Sequence, residues 1–217
     1  MKGLLIKDMY LITQNKKSFL VYLFCCVFMS LSVDVSFVAG YIAMLMGIIA
    51  LSTLSYDEYD KGMTFLMTLP VDGKTYVREK FLLIAIMELI GIATGIAFMT
   101  ISLAFRGALN TLGDNVVPTI ALSLTIGSFL TLMIPIELKF GVEKGRIAMM
   151  VIYGGIGALV AVAAKLFPSK QDVLLPLVAK LDLIPSSLMA LFAILTIGCV
   201  IAVTYFLSLK VMEKKEF

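Results

Sequence analysis

The chain has 217 residues, 60% of them hydrophobic, with a formal net charge of +3 and a mean hydropathy of +1.02. Soluble domains run nearer half apolar, and a core of this size cannot hide the excess, so the bilayer is the expected solvent for most of the surface. A soluble bundle is set aside on that ground, and the length suits one membrane domain with no separate soluble domain.

Chemistry is narrowed in the same way. There is no histidine, which removes the commonest metal ligand and the usual proton shuttle. Cys25, Cys26 and Cys199 all lie inside apolar runs. They read as small buried hydrophobes, with no CxxC spacing for a metal or a redox pair. The opening MKGLLIKDMYLITQNKK does not read as a cleavable signal, because no apolar core with a small-residue cleavage site follows Lys2.

Taken in order, residues 1–17 place Leu4, Leu5, Met9, Leu11 and Ile12 on one broad face, with Lys2, Lys7, Asp8 and Gln14 largely off it. That pattern predicts a helix lying in the membrane interface. Lys16 and Lys17 mark the entry to a first span over residues 18–33, near the short end of the roughly 17–25 residues a crossing helix needs. Asp34 and Ser36 turn the chain into a second span, 37–55, which carries Gly40 and Gly47. The longest polar interruption follows, residues 56–80, YDEYDKGMTFLMTLPVDGKTYVREK.

The third span, 81–105, is long enough to tilt. It holds Glu88 about two turns in, and Gly91 and Gly95 form a GxxxG pair where another helix can approach closely. A polar loop from Arg106 to Asn115 precedes the fourth span, 116–136, with Pro118 in its first turn and Pro135 near its end. The loop ELKFGVEKGR leads to a fifth span, 147–166, with Gly154, Gly155 and Gly157. Residues 167–187 are broken by Pro168, Pro176 and Pro185, so two short interfacial helices are expected there rather than a crossing. The sixth span, 188–209, ends in the charged tail KVMEKKEF.

Six spans put the amino terminus, the 56–80 segment, the Glu137 loop and the tail on one side. Those segments hold fourteen of the 18 Lys and Arg residues, leaving Arg106, Lys165, Lys170 and Lys180 for the other side. The positive-inside rule then predicts cytoplasmic termini and a cytoplasmic 56–80 segment.

No GxxxxGK[ST] loop, HExxH or GxSxG occurs, nor a paired-carboxylate site in a plausible pocket, so no enzyme is expected, and the energy for any work against a gradient is expected from another chain. The 56–80 segment is the informative one. Tyr59, Met63, Leu66 and Met67 form one apolar stripe on a short predicted helix, with Asp57, Glu58 and Asp60 at its start, where acids suit the positive end. Pro70 stops it and Asp72-Gly73 turns the chain. One reading is a helix resting on lipid; the other is a docking element for a soluble partner. The acids favour docking, since an anionic leaflet repels them.

The chain resembles the small six-span permease subunits of ABC-2 type ABC exporters. The residues that carry this are Leu5, Lys7 and Asp8; Tyr56-Asp57-Glu58; and Leu69-Pro70-Val71 with Lys74, Tyr76-Val77 and Lys80-Phe81. The layout matches over nearly the whole chain, through short motifs. The resemblance implies an all-α membrane protein in which residues 1–17 are an elbow helix and 167–187 a pair of short extracellular helices. Residues 57–69 would contain a coupling helix seated in a groove of a separate ATP-binding subunit, with Asp57, Glu58, Tyr59, Asp60, Met63, Leu66 and Met67 at the contact. It implies two paired permeases, alike or different, above an ATPase dimer that holds ATP and Mg, with no cofactor in this chain. It also implies a bacterial cytoplasmic membrane, export of a hydrophobic or peptide substrate, and no nucleic-acid partner. A narrower resemblance is to bacterial permeases that export amphipathic peptides of the phenol-soluble modulin type.

Glu88 has two readings. An intramembrane acid is a functional candidate by default; one near the cytoplasmic end also serves structurally by reaching the interface or pairing with a lysine, and the second reading is the one favoured. Lys165 reads as a snorkelling residue at the outer boundary, and the 14 methionines suit either packing or a pliable substrate surface. The rival class is a non-transporting membrane sensor, immunity protein or scaffold whose loop binds a cytoplasmic partner. A secondary transporter is disfavoured by the lack of central charges and of an inverted repeat.

Overall fold

In lipid every backbone polar group must be satisfied within the protein, which leaves the helix as the natural state of each apolar run. The computed structural model describes residues 1–14, 16–30, 33–59, 62–68, 71–166 and 186–215, and among these all regular structure is helical. The elements are α1 (Lys2–Gln14), α2 (Lys16–Met29), α3 (Val35–Glu58), α4 (Gly62–Thr68), α5 (Gly73–Phe105), a 3-10 turn (Leu109–Thr111), α6 (Leu112–Phe140), α7 (Val142–Leu166) and α8 (Ser186–Glu213).

Among the described residues, four stretches are long and apolar enough to cross a membrane: Val35–Glu58, Gly73–Phe105, Leu109–Phe140 and Phe192–Glu213. Within the first expected span the described helix is α2, of 14 residues, and residues 31 and 32 lie outside the described ones. The expected pair of interfacial helices over 167–187 falls almost wholly outside the described residues, as do Asp60, Lys61, Leu69 and Pro70.

The helices overrun the expected loops. α3 continues past Ser55 to Glu58, so Asp57 and Glu58 lie at its C-terminal end and not at the start of the short helix that follows. That end of a helix carries partial negative charge and disfavours acids; here both side chains find partners on other helices, described below. α5 starts eight residues before the expected span, at Gly73. The Glu137–Arg146 loop contracts to a single break at Gly141 between α6 and α7. Gly141 has φ +82° and ψ 160°, a conformation essentially confined to glycine. The Glu58 side chain reaches this break and accepts a hydrogen bond from the Val142 backbone N–H, satisfying one of the orphan donors of α7.

The closest packing joins α3 to α5, which run antiparallel. Gly95 lies against Ala39 and Gly91 against Ala43, so close that a Cβ built on Gly95 would sit 2.5 Å from the Ala39 carbonyl oxygen and one on Gly91 2.7 Å from the Ala43 Cα. The GxxxG pair is therefore a helix-approach site, and its partners on α3 are the small residues Ala39 and Ala43.

Polar contacts close both ends of the bundle. At the end holding the α5 C-terminus, Arg106 donates to the Ser30 carbonyl, and the Ser36 hydroxyl donates to Asn115 Oδ1 at 2.8 Å. At the other end, Arg78 Nε donates to the Tyr205 hydroxyl at 3.1 Å, and Lys215 Nζ to the Leu138 carbonyl at 3.0 Å, fastening the C-terminal part of α8. The main core, around Leu54, Tyr76, Leu83, Met87, Ile134 and Leu138, lies toward this second end. Outward faces carry exposed Phe24, Phe28, Leu89 and Phe206, as expected where lipid takes the place of water.

Candidate functional site

α1, α3 and α5 converge at the end of the bundle that carries α4, and each brings charge. α1 supplies Lys7 and Asp8, α3 supplies Asp57, and α5 supplies Tyr76, Glu79 and Lys80. All but Lys7 are buried. Lys80 Nζ is at the centre. It pairs with Asp8, lies 2.7 Å from Asp57 Oδ2, donates to Thr53 Oγ1 at 3.0 Å and stands 5.1 Å from the centre of the Tyr76 ring. The Tyr76 hydroxyl donates to Asp57 Oδ2 at 2.9 Å. Lys7 donates to Asp57 Oδ1 and lies 3.0 Å from Asp8 Oδ1.

Three carboxyl groups thus face two ammonium groups. Glu79 takes the weakest place, 3.8 Å from Lys80 Nζ, with neither oxygen hydrogen-bonded. Burial by itself would lower the pKa of Lys7, but the hydrogen bond to Asp57 and the charges of Asp57 and Asp8 outweigh it and hold the ammonium above its ordinary value. The sign follows directly: Lys7 contributes stability at every pH below its unfolded pKa and loses it only as pH climbs through the raised folded value. A buried ion pair of this kind adds little net stability but is costly to break on one side. Its effect is to fix the positions of α1, α3 and α5 relative to one another.

α4 is carried on this platform, and its faces divide differently from the expected stripe. Leu66 is 8% exposed and joins the main core, with Met63 and Met67 packed against it. Tyr59, the fourth member, is not on α4 at all; it caps the C-terminal end of α3 and is 75% exposed. The outward face of α4 presents Thr64, Phe65 and Thr68, with Phe65 67% exposed. The amphipathic helix was legible, but the larger apolar face seats it on the bundle, and Phe65 is the aromatic left outside.

The predicted site residues therefore separate. Asp57 is in the ionic cluster, Glu58 caps α7, Met63, Leu66 and Met67 anchor α4, Tyr59 is at the surface, and Asp60 lies outside the described residues. The reading of the loop as a polar surface missed Lys7, Asp8, Thr53, Tyr76, Glu79 and Lys80 as a unit. A signal was present: Lys7, Asp8, Asp57, Tyr76 and Lys80 are among the residues that carry the family resemblance, and they meet here.

Glu88 is remote from this cluster along α5. It is 6% exposed, and among the described residues it pairs with no lysine and neither carboxyl oxygen has a hydrogen-bond partner. Its carboxyl packs where Gly47 of α3 and Gly127 of α6 leave room. Among the described residues, no group of three or more acids or cysteines is arranged to hold a metal ion.

The family model described as ABC-2 family transporter protein matches residues 3–213. No curated protein and no solved structure matches the chain.

Proposed function

Because the chain belongs to the ABC-2 family of transporter proteins, we propose that it is the permease subunit of an ATP-driven exporter. It is a multi-pass membrane protein and the membrane component of a transporter, in a family that generally pairs with an ABC ATPase. In the proposed assembly, two permeases pair in a bacterial cytoplasmic membrane above two ATPase subunits that hold ATP and Mg. Six spans leave both termini in the cytoplasm, α1 acts as the elbow helix, and the segment from Asp57 to Thr68 is the coupling element. The path between the protomers carries an amphipathic peptide or another hydrophobic substrate.

The observation that carries this reading is a seven-residue helix between two long spans, seated on the bundle by Leu66, with Phe65 67% exposed on its outward face. α4 follows α3 and precedes α5, the two helices locked by the Lys80 cluster and the glycine contact. A push on α4 is then passed to both spans as a rigid-body shift rather than absorbed locally. Tyr59 and Phe65 supply the exposed contact; Asp57, Glu58, Met63, Leu66 and Met67 hold the element in place; and Asp60 completes the segment.

The test is recovery of the permease from its native membrane with its bound proteins identified. An ABC ATPase should co-purify. Phe65→Asp should reduce its recovery by at least tenfold with no change in the permease's thermal unfolding, since no core contact is lost. Leu66→Asp should lose both, because it puts a charge into the core. Full ATPase recovery with the stable Phe65→Asp protein would remove α4 from the contact. Recovery of signalling partners and no ATPase would favour the sensor or immunity class.

A further inference from the structure

At the end of the bundle away from the ionic cluster, a groove of about 340 Å³ lies between α2 and α5. Val27 and Ser30 line it from one side, Phe98, Ile101 and Phe105 from the other, and Arg106 stands at its end. A second hollow, of about 240 Å³, continues along the same two helices, past Leu23 and Cys26 of α2 and Thr94 of α5, with α3 as its floor. Phe98 lines both hollows. Positions 94, 98, 101, 102 and 105 fall on one face of α5 at helical spacing, so the two form one trough. Its lips are apolar and exposed, at Leu23, Val27, Ile101 and Phe105. Among the described residues that line it, Arg106 is the one that carries charge.

We propose that this trough holds one glycerophospholipid, with an acyl chain lying along α5 from Phe105 toward Thr94 and the phosphate on Arg106. An apolar trough with a single cation at its end matches an amphiphile that carries its anion at the head of an apolar chain. The length fits as well. Twelve residues from Thr94 to Arg106 span about 18 Å of helix, close to the about 15 Å of one leaflet in a hydrocarbon core of about 30 Å. Arg106 is exposed and so within reach of a headgroup. Its guanidinium donates to the Ser30 carbonyl at the end of α2, which fixes the head of a long side chain in advance. Five N–H donors in a rigid fork leave others for a phosphate, the anion whose geometry that fork matches. The apolar face of a second copy would instead strip water from the guanidinium and offer no counter-charge. This inference goes beyond the exporter reading and needs only that the chain is embedded in a bilayer.

The test uses the full permease, delipidated in a non-ionic detergent without any ATPase. It is titrated with dioleoylphosphatidylglycerol or with dioleoylglycerol, which has the same chains and no phosphate, and native mass spectrometry counts the molecules bound to monomer and dimer. The wild type should take up one phosphatidylglycerol per chain at least tenfold more tightly than dioleoylglycerol. Arg106→Gln should abolish that preference while dioleoylglycerol still binds, and Arg106→Lys should reduce it at least threefold. Ser102→Trp, which fills the groove beside Arg106, should weaken both lipids at least tenfold. If Arg106→Gln does not fold, Arg106→Lys and Ser102→Trp decide the matter. Equal binding of the two lipids by the wild type, a preference unchanged by the Arg106 variants, or binding unaffected by Ser102→Trp overturns the site. Displacement of the lipid by inorganic phosphate would assign Arg106 to the free anion. Lipid found on the monomer and never on a dimer would give the groove to a second copy. Either result overturns the lipid assignment.

Discussion

Lys80→Met should destabilise the permease by about 3–5 kcal/mol, the usual cost of removing one partner from a buried ion pair. The substitution keeps an unbranched apolar stem and removes the ammonium group, with its charge and its hydrogen-bond donors. Among the described residues Asp8 and Asp57 then share Lys7 as their cation, Thr53 loses its donor partner, and Glu79 loses the ammonium paired with it. Thermal unfolding of the purified protein in detergent reads the loss. The double variant Asp8→Asn with Lys80→Met should recover part of it, because the acid left uncompensated is removed together with its partner, and a double-mutant cycle isolates the coupling. If Lys80→Met unfolds at the wild-type temperature, the cluster is not what fixes α1 against α3 and α5.

This cluster also shows where reading the chain as a line of residues stops. The long apolar runs were legible because the solvent is lipid: a stretch such as that from Phe81 to Phe105 has one way to satisfy its backbone. Gly91 and Gly95 were legible as a helix-approach site because close approach between lipid-bound helices calls for small residues at a four-residue spacing. Their partners on α3 were not seen, since alanines at 39 and 43 look like ordinary apolar sequence. The charges were misread for a physical reason. Lys7, Asp57 and Lys80 each sit beside polar neighbours and look solvated one at a time; Lys7 and Asp57 are 50 residues apart, and Lys80 and Asp8 are 72. Pairing at that range is a property of the packed bundle. Helix ends failed for the same reason, because Asp57 and Glu58 end a helix in water but continue one when Lys7, Lys80 and the Val142 N–H await them. The stripe on α4 was seen as a pattern, but periodicity does not say whether an apolar face looks in or out.

Gly95→Leu should cost more than the about 1–3 kcal/mol typical of an overpacked core. In most cores an added methylene is met by side chains that can turn aside. Here the first obstacle is the carbonyl oxygen of Ala39, part of the α3 backbone, with the Ala39 carbonyl carbon and Cα just behind it. Relief requires the whole of α3 to move off α5, which opens the small-residue ladder at Gly91 and Ala43 one turn away. Gly95→Ala should already lower thermal stability, the reverse of the gain of about 0.5–1 kcal/mol that the same change gives in an unobstructed helix. Gly198→Ala is the internal control: it lies in α8 with nothing within 4 Å of its Cβ position, and should be neutral or stabilising. A Gly95→Ala protein as stable as Gly198→Ala would mean that α3 and α5 are not held at backbone contact. That outcome would also undercut the rigid transfer of force from α4, because the two spans flanking it would then be free to move separately.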